Sequence, residues 1–244
     1  MSSLTYRSTD SFEDEAYSDR GTGSKQDLSV WRPNLFNDEY RIMYVATNIR
    51  HTHGPDIPTI VVKETEDSDG KALAKPVHFE VVWTDQSTGG SRDGQIYKAV
   101  ASHGYVALSD VATHGDNSSM KPGDVFPADK IDPKFRCVHK SLVERAECGK
   151  LMWTDKGSGG KYDGAVWDIS GFAGFKAGRG SGDKPDFQQY SLNHTTNDSH
   201  PSTMDHAPTM SNDHPPAGKS ANQNTCYVVI CCTRVIDIFH DRKI

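Results

Sequence analysis

The sequence predicts an all-β chain in which antiparallel strands form an internal threefold repeat, and three observations predict it. The first is a stretch that occurs three times without a gap, at residues 17–31, 83–97 and 153–167. Each copy runs aromatic, hydroxyl, Asp, then a hydroxyl residue followed by Gly, a second Asp, a β-branched residue and a closing aromatic. That order is strand, tight glycine turn, strand. The second observation is the long period, 66 and then 70 residues, which marks a repeated supersecondary unit. The third is composition: 35% hydrophobic residues with 21 glycines and 12 prolines suit short, half-buried strands joined by many turns.

Taken in order, residues 1–16 read as a polar arm carrying Asp10, Glu13, Asp14 and Glu15, too hydrophilic to order alone. Residues 17–244 read as one domain with repeats at about 17–76, 77–150 and 151–244. One such unit buries too little apolar surface to stand alone, whereas three around an axis bury enough. In the first repeat, 28–31 is a strand stopped by Pro33, 40–46 is a second and 59–63 a β-branched third. Residues 64–75 are a charged loop around Asp69-Gly70. In the second repeat, 77–83, 105–111 and 135–139 are strands, and 114–127 is a long loop. Phe175 follows Trp167 at the spacing by which Tyr105 follows Tyr97, and Tyr40 follows Trp31 at nearly the same one.

In the third repeat the glycines of 171–182 admit a bend or a close backbone approach. They are no nucleotide loop, because no Gly-Lys-Ser/Thr ending and no helix come after them. Residues 196–224, with Pro201, Pro208, Pro215, Pro216, His200, His206 and His214, are an insertion that cannot build a core. The apolar stretches 226–232 and 234–239 are expected to pair with the first repeat and close its edge.

The net charge of −6 gives no concentrated basic surface for nucleic acid. The apolar runs are too short to span a bilayer, and the polar N-terminus is no secretory signal, so an intracellular location is expected. Five cysteines without a Cys-x-x-Cys pair point to buried thiols in a reducing compartment, or to an unpaired cysteine that links chains. Cys137, Cys148, Cys226, Cys231 and Cys232 are thus the candidates for disulfide or inter-chain bonding; in a strand Cys231 and Cys232 face opposite ways. Residues 130–150 hold Lys130, Lys134, Arg136, Lys140, Arg145 and Lys150 against three acids. They form either a hairpin edge guarded by charge or a patch for anionic headgroups or an acidic partner.

No Gly-x-Ser-x-Gly elbow and no His-Glu-x-x-His occur, so no catalytic residue, cofactor or metal is expected. The turn aspartates Asp19, Asp27, Asp85, Asp93, Asp155 and Asp163 raise a calcium or sugar site, since oxygen ligands on a glycine loop suit a hard cation. The plainer account is that Asp before a tight turn accepts backbone N–H bonds. The 11 histidines add a pH response: protonation near pH 6.5 moves a chain of charge −6 toward neutrality, where association is favoured.

Gly104-Tyr105-Val106-Ala107-Leu108, Lys121-Pro122, Arg136-Cys137-Val138, Leu142, Glu147 and Leu151-Met152-Trp153 together resemble the Vps62 family. So do Gly157-Ser158-Gly159 with Trp167, and Val30-Trp31-Arg32-Pro33. The match is clear over roughly 80–170, with Ser109 standing where a glycine is usual. The resemblance implies no catalytic residues and an association with vacuolar or endosomal traffic. The repeat with Gly-Tyr strands is also similar to β-prism domains that bind acidic membranes. That similarity implies a β-prism, three antiparallel sheets packed about a pseudo-threefold axis. The expected function is a non-enzymatic structural protein that self-associates, with ordered assemblies as one form, through the arm, residues 196–224 and its cysteines. One alternative is a peripheral membrane module using residues 130–150. A second is a lectin-like module using the Asp/Gly turns.

Overall fold

A computed structural model describes residues 4–48, 55, 57–65, 71–169, 172–180, 182 and 188–193. These belong to the first of two units into which the chain divides, Met1–Asn193. The expected insertion at 196–224, the strands at 226–232 and 234–239, and Cys226, Cys231 and Cys232 lie outside the described residues.

The described chain is all-β, several small antiparallel sheets with one helical turn, α1 (Ala128–Ile131), and a 3-10 turn at Lys140–Leu142. In one kind of sheet β2 (Phe12–Ser18) pairs with β3 (Ser29–Pro33), which pairs with β5 (Val45–Thr47). The same order returns as β8 (His78–Thr84), β9 (Gly94–Val100) and β11 (Val111–His114), with β12 (Val125–Phe126) added beside β8. It returns again as β15 (Cys148–Thr154), β16 (Gly164–Ile169) and β17 (Phe172–Arg179). In the other kind, β6 (Thr59–Glu64) lies between β1 (Leu4–Thr9) and β4 (Tyr40–Arg41). Likewise β13 (Cys137–His139) lies between β7 (Leu73–Ala74) and β10 (Tyr105–Val106), while β14 (Val143–Ala146) pairs with β18 (Gln189–Leu192).

Each repeated hairpin slips register at the same place: between Glu15 and Tyr17, Val81 and Trp83, Leu151 and Trp153. An extra residue there bends the strand and re-aims the next side chain. Tyr17, Trp83 and Trp153 consequently turn inward, each fully buried. Tyr17 meets Trp83 at 5.9 Å and Trp83 meets Trp153 at 5.0 Å, both edge to face. Such pairs contribute about 0.5–1.5 kcal/mol each beyond their burial. Leu28, Val30, Tyr44, Phe79, Ile96, Val166 and Phe175 complete this core, so all three repeats feed it. A second cluster, with Leu4, Met43, Val62, Leu108, Val138 and Leu192, fills the space against the smaller sheets.

The expected polar arm is corrected by β1 and β2. β1 pairs along its whole length with β6, from Leu4 with Glu64 to Thr9 with Thr59. The acids that argued against order have distant partners: Glu13 meets Arg32 at 2.6 Å and also Arg41, and Glu15 accepts from Ser29 Oγ at 2.6 Å. Residues 4–18 are therefore built into the sheets. The strands expected at 40–46 and 105–111 each break in two, because the chain leaves one sheet there for another. Phe175 lies in β17, the counterpart of β5 and β11, and so does not match Tyr40 and Tyr105 of β4 and β10.

Candidate functional site

The three Asp/Gly turns meet one another. Within each turn the first Asp is buried and folds its loop: Asp19, Asp85 and Asp155 Oδ1 accept from the N–H of Leu28, Gly94 and Gly164 at 3.0, 3.0 and 2.8 Å. Between turns the other oxygen serves. Trp83 Nε1 donates to Asp155 Oδ2 at 2.7 Å, and Trp153 Nε1 donates to Asp19 Oδ2 at 2.9 Å. The backbones are stitched as well. Ser91 N donates to Arg20 O at 2.8 Å, Lys161 N to Gln86 O at 2.9 Å, and Ser24 Oγ to Thr154 O at 3.0 Å. Gly94 and Gly164 let an aromatic ring lie on the chain: a Cβ at either would stand 2.3 Å from Tyr17 or 2.4 Å from Trp83.

Burial raises the Asp85 and Asp155 carboxyls above the usual carboxylate range, against the pull of the Gly94 and Gly164 N–H groups. These aspartates are built into the fold. Of the second aspartates, Asp93 and Asp163 are exposed and Asp27 is half-buried. Among the described residues no group of three or more His, Cys, Asp or Glu side chains is placed to hold a metal ion.

The basic segment is spread over several elements: Lys130 in α1, Lys134 and Arg136 in the loop before β13, Lys140 in the 3-10 turn, Arg145 in β14 and Lys150 in β15. Lys130, Lys140, Arg145 and Lys150 are exposed. Lys134 and Arg136 converge on the Tyr40 ring, at 5.2 and 4.1 Å from its centroid. Lys134 Nζ also donates to Asn37 O at 3.0 Å, and Arg136 Nη1 to Pro133 O and Phe135 O at 2.8 Å each.

Beside them stands a feature that sequence reasoning missed. Phe36 is 66% exposed at the tip of a turn closed by Glu39 N donating to Phe36 O at 3.2 Å. The Arg7 guanidinium lies 4.2 Å from the Phe36 ring centroid and grips both Glu39 oxygens at 2.6 Å each. Glu39 also accepts from Phe36 N at 2.8 Å, and its hydrogen bond to Arg7 holds its carboxyl below the usual range. The signal was a large aromatic among turn formers, Pro33-Asn34-Leu35-Phe36-Asn37-Asp38; the clamp itself comes from the stretch read as an arm.

Cys137 is fully buried, and desolvation pushes its thiol up to about 12, so little thiolate is available there near neutral pH. Cys148 is free and half-buried, and no disulfide joins the described residues. A cavity of about 140 Å³ lies over the buried Lys176–Asp110 ion pair, whose nitrogen and oxygen are 3.2 Å apart, with Lys98 and Tyr190 at its wall.

The family description Vps62, vacuolar protein sorting-associated protein 62, matches residues 2–181, and the chain belongs to this family. The resemblance read over 80–170 thus extends through the first repeat. A solved structure, GNIP1Aa from Chromobacterium piscinae, is similar with a TM-score of 0.61 and 25% identity. The likeness covers 75% of this chain and 34% of that one, so this chain spans about a third of its length. No curated protein matches. No helix among the described residues is long and apolar enough to cross a membrane.

Proposed function

We propose that this chain is a non-enzymatic binding module of the trafficking type, a β-prism of three repeats about a pseudo-threefold axis, that docks peripherally on anionic membrane surfaces of vacuolar or endosomal compartments. The prism reading draws support from the strand order that returns three times and from the turns that touch in sequence. The docking reading is carried by one observation: Phe36 is held out to solvent on a clamped turn, beside the Lys134 and Arg136 charges stacked on Tyr40. An apolar tip flanked by cations suits the interface of an anionic bilayer, where each Lys or Arg near the surface adds about 1 kcal/mol. A turn already fixed by Arg7 and Glu39 loses little freedom on binding. Family membership supports the trafficking class.

Vesicle co-sedimentation tests it. The chain is expected to sediment with phosphatidylserine-containing vesicles in low salt and to be released by salt. Phe36→Ser, or Lys134→Glu with Arg136→Glu, is expected to abolish sedimentation. Wild-type chain left in the supernatant with those vesicles in low salt ends the reading. Self-association is the second reading. It no longer has the arm as a means, and among the described residues it rests on the free thiol of Cys148. Light scattering at pH 8, with and without reductant, is expected to show growth that reductant reverses; a monomer in both excludes it.

A further inference from the structure

Two of the three joints between turns are closed by a direct indole–carboxylate hydrogen bond, and the third is not. Trp83 closes onto Asp155 and Trp153 onto Asp19. The residue in their place in the first repeat is Tyr17, and the carboxylate that completes the pattern is Asp85. Both are buried, yet Tyr17 Oη and Asp85 Oδ2 find no hydrogen-bond partner among the described residues. A third orphan stands beside Tyr17. The His114 ring packs 5.4 Å from the Tyr17 ring, its Nδ1 meets Asp93 O at 3.2 Å, and its buried Nε2 is unpartnered. Asp85 Oδ1, by contrast, is fully used by Gly94 N at 3.0 Å and Asn117 Nδ2 at 2.5 Å.

We infer that the joint between the first and second turns is a hydrated hinge: one ordered water links Tyr17, Asp85 and His114 where the other joints have a direct bond, and the turn ring opens there first. Donors and acceptors balance. The phenol donates to the water, and the water donates to Asp85 Oδ2 and to the His114 Nε2 lone pair, which is free because Nδ1–H faces Asp93 O. Three partners are what a buried water normally has. The Tyr17 ring lies over Gly94 as the Trp83 ring lies over Gly164, so the two joints share one backbone geometry and differ in the group that closes them. Each orphan left dry carries a desolvation penalty, so the site favours water over a void. The charged groups around it are Asp93 beside Asp85, Glu15, Asp19 and Asp155 around Tyr17, and Arg92 with Glu15 around His114. A water-mediated joint gives way more readily than a direct charge-assisted bond.

Amide exchange in the full chain reads this directly, because the Gly94 and Gly164 amides occupy equivalent positions under Asp85 and Asp155. Gly94 is expected to exchange about tenfold faster than Gly164, the equivalent of about 1.4 kcal/mol in local opening. Tyr17→Trp is expected to slow Gly94 to the Gly164 rate and leave Gly164 unchanged. Equal wild-type rates, or a Gly94 rate untouched by Tyr17→Trp, overturn the inference. Melting of Asp85→Asn and Asp155→Asn decides it independently. A water can turn to accept from the new amide, so Asp85→Asn is expected to shift Tm by less than about 2 °C. Asp155→Asn sets an amide donor against the Trp83 N–H and is expected to lower Tm by about 4 °C or more. Equal losses for both variants, or an Asp85→Asn chain that does not fold, contradict it.

Discussion

Asp132 shows how much of this fold hangs on single side chains. Both its oxygens lie 3.2 Å from Arg41 Nη1, Tyr44 Oη donates to it at 3.0 Å, and Lys134 N donates to it at 2.8 Å. Arg41 is itself buried and reaches Glu13 and Pro33 O. Removing one partner strands a charge in a medium that solvates it poorly, so Asp132→Ala is expected to lower stability by about 3–5 kcal/mol. Urea unfolding checks this as a lower midpoint with an unchanged slope. None of it was legible in the sequence, since Arg41 sat in an apolar strand and Asp132 in a basic run, 91 residues away. Cysteine chemistry is a second prediction at this scale. Burial raises the Cys137 thiol to about 12, so at pH 8 the native chain is expected to be alkylated at Cys148 well before Cys137. Peptide mapping after a short iodoacetamide pulse reads the order, and equal labelling refutes it.

Among the elements, the repeated hairpin was legible in advance, and its partners were not. Aromatic spacing, Asp before the turn and glycine within it are local, and β3, β9 and β16 form where those signals placed them. The indole–carboxylate bonds span 72 and 134 residues and join turns that no local pattern connects. β1 was missed because polar side chains hid its pairing with β6, which lies some fifty residues downstream. The glycines separate these two levels. Gly157 has φ +90° and open space around it, so Gly157→Ala meets only backbone strain, about 1 kcal/mol. Gly164 has an ordinary backbone, but a Cβ there would stand 2.4 Å from the Trp83 ring. Gly164→Ala must therefore displace an indole that bonds Asp155, with an expected loss of about 3 kcal/mol. Thermal melting ranks the pair, and a milder effect at 164 than at 157 means the ring can move aside.

Across the whole described unit, the decisive feature is that no repeat owns its core. The larger cluster joins Tyr17, Leu28 and Val30 to Phe79, Trp83 and Ile96, and to Trp153, Val166 and Phe175. The smaller takes Leu4 and Val62, Leu73 and Val138, and Leu192 in the same way. A linear repeat array contacts only its neighbours and can unravel from an end. Here the third turn bonds back to the first through Trp153 and Asp19, so losing any one repeat exposes the buried faces of both others. A single cooperative transition is the consequence, with tryptophan fluorescence and far-ultraviolet circular dichroism expected to report the same midpoint. A peptide of residues 77–150 alone keeps its hairpin sequence but loses both partners of its core, and it is expected to be unfolded at 25 °C. Two separated transitions, or a folded isolated repeat, would show that each unit is stable without the ring. The turn contacts would then decorate the fold rather than hold it.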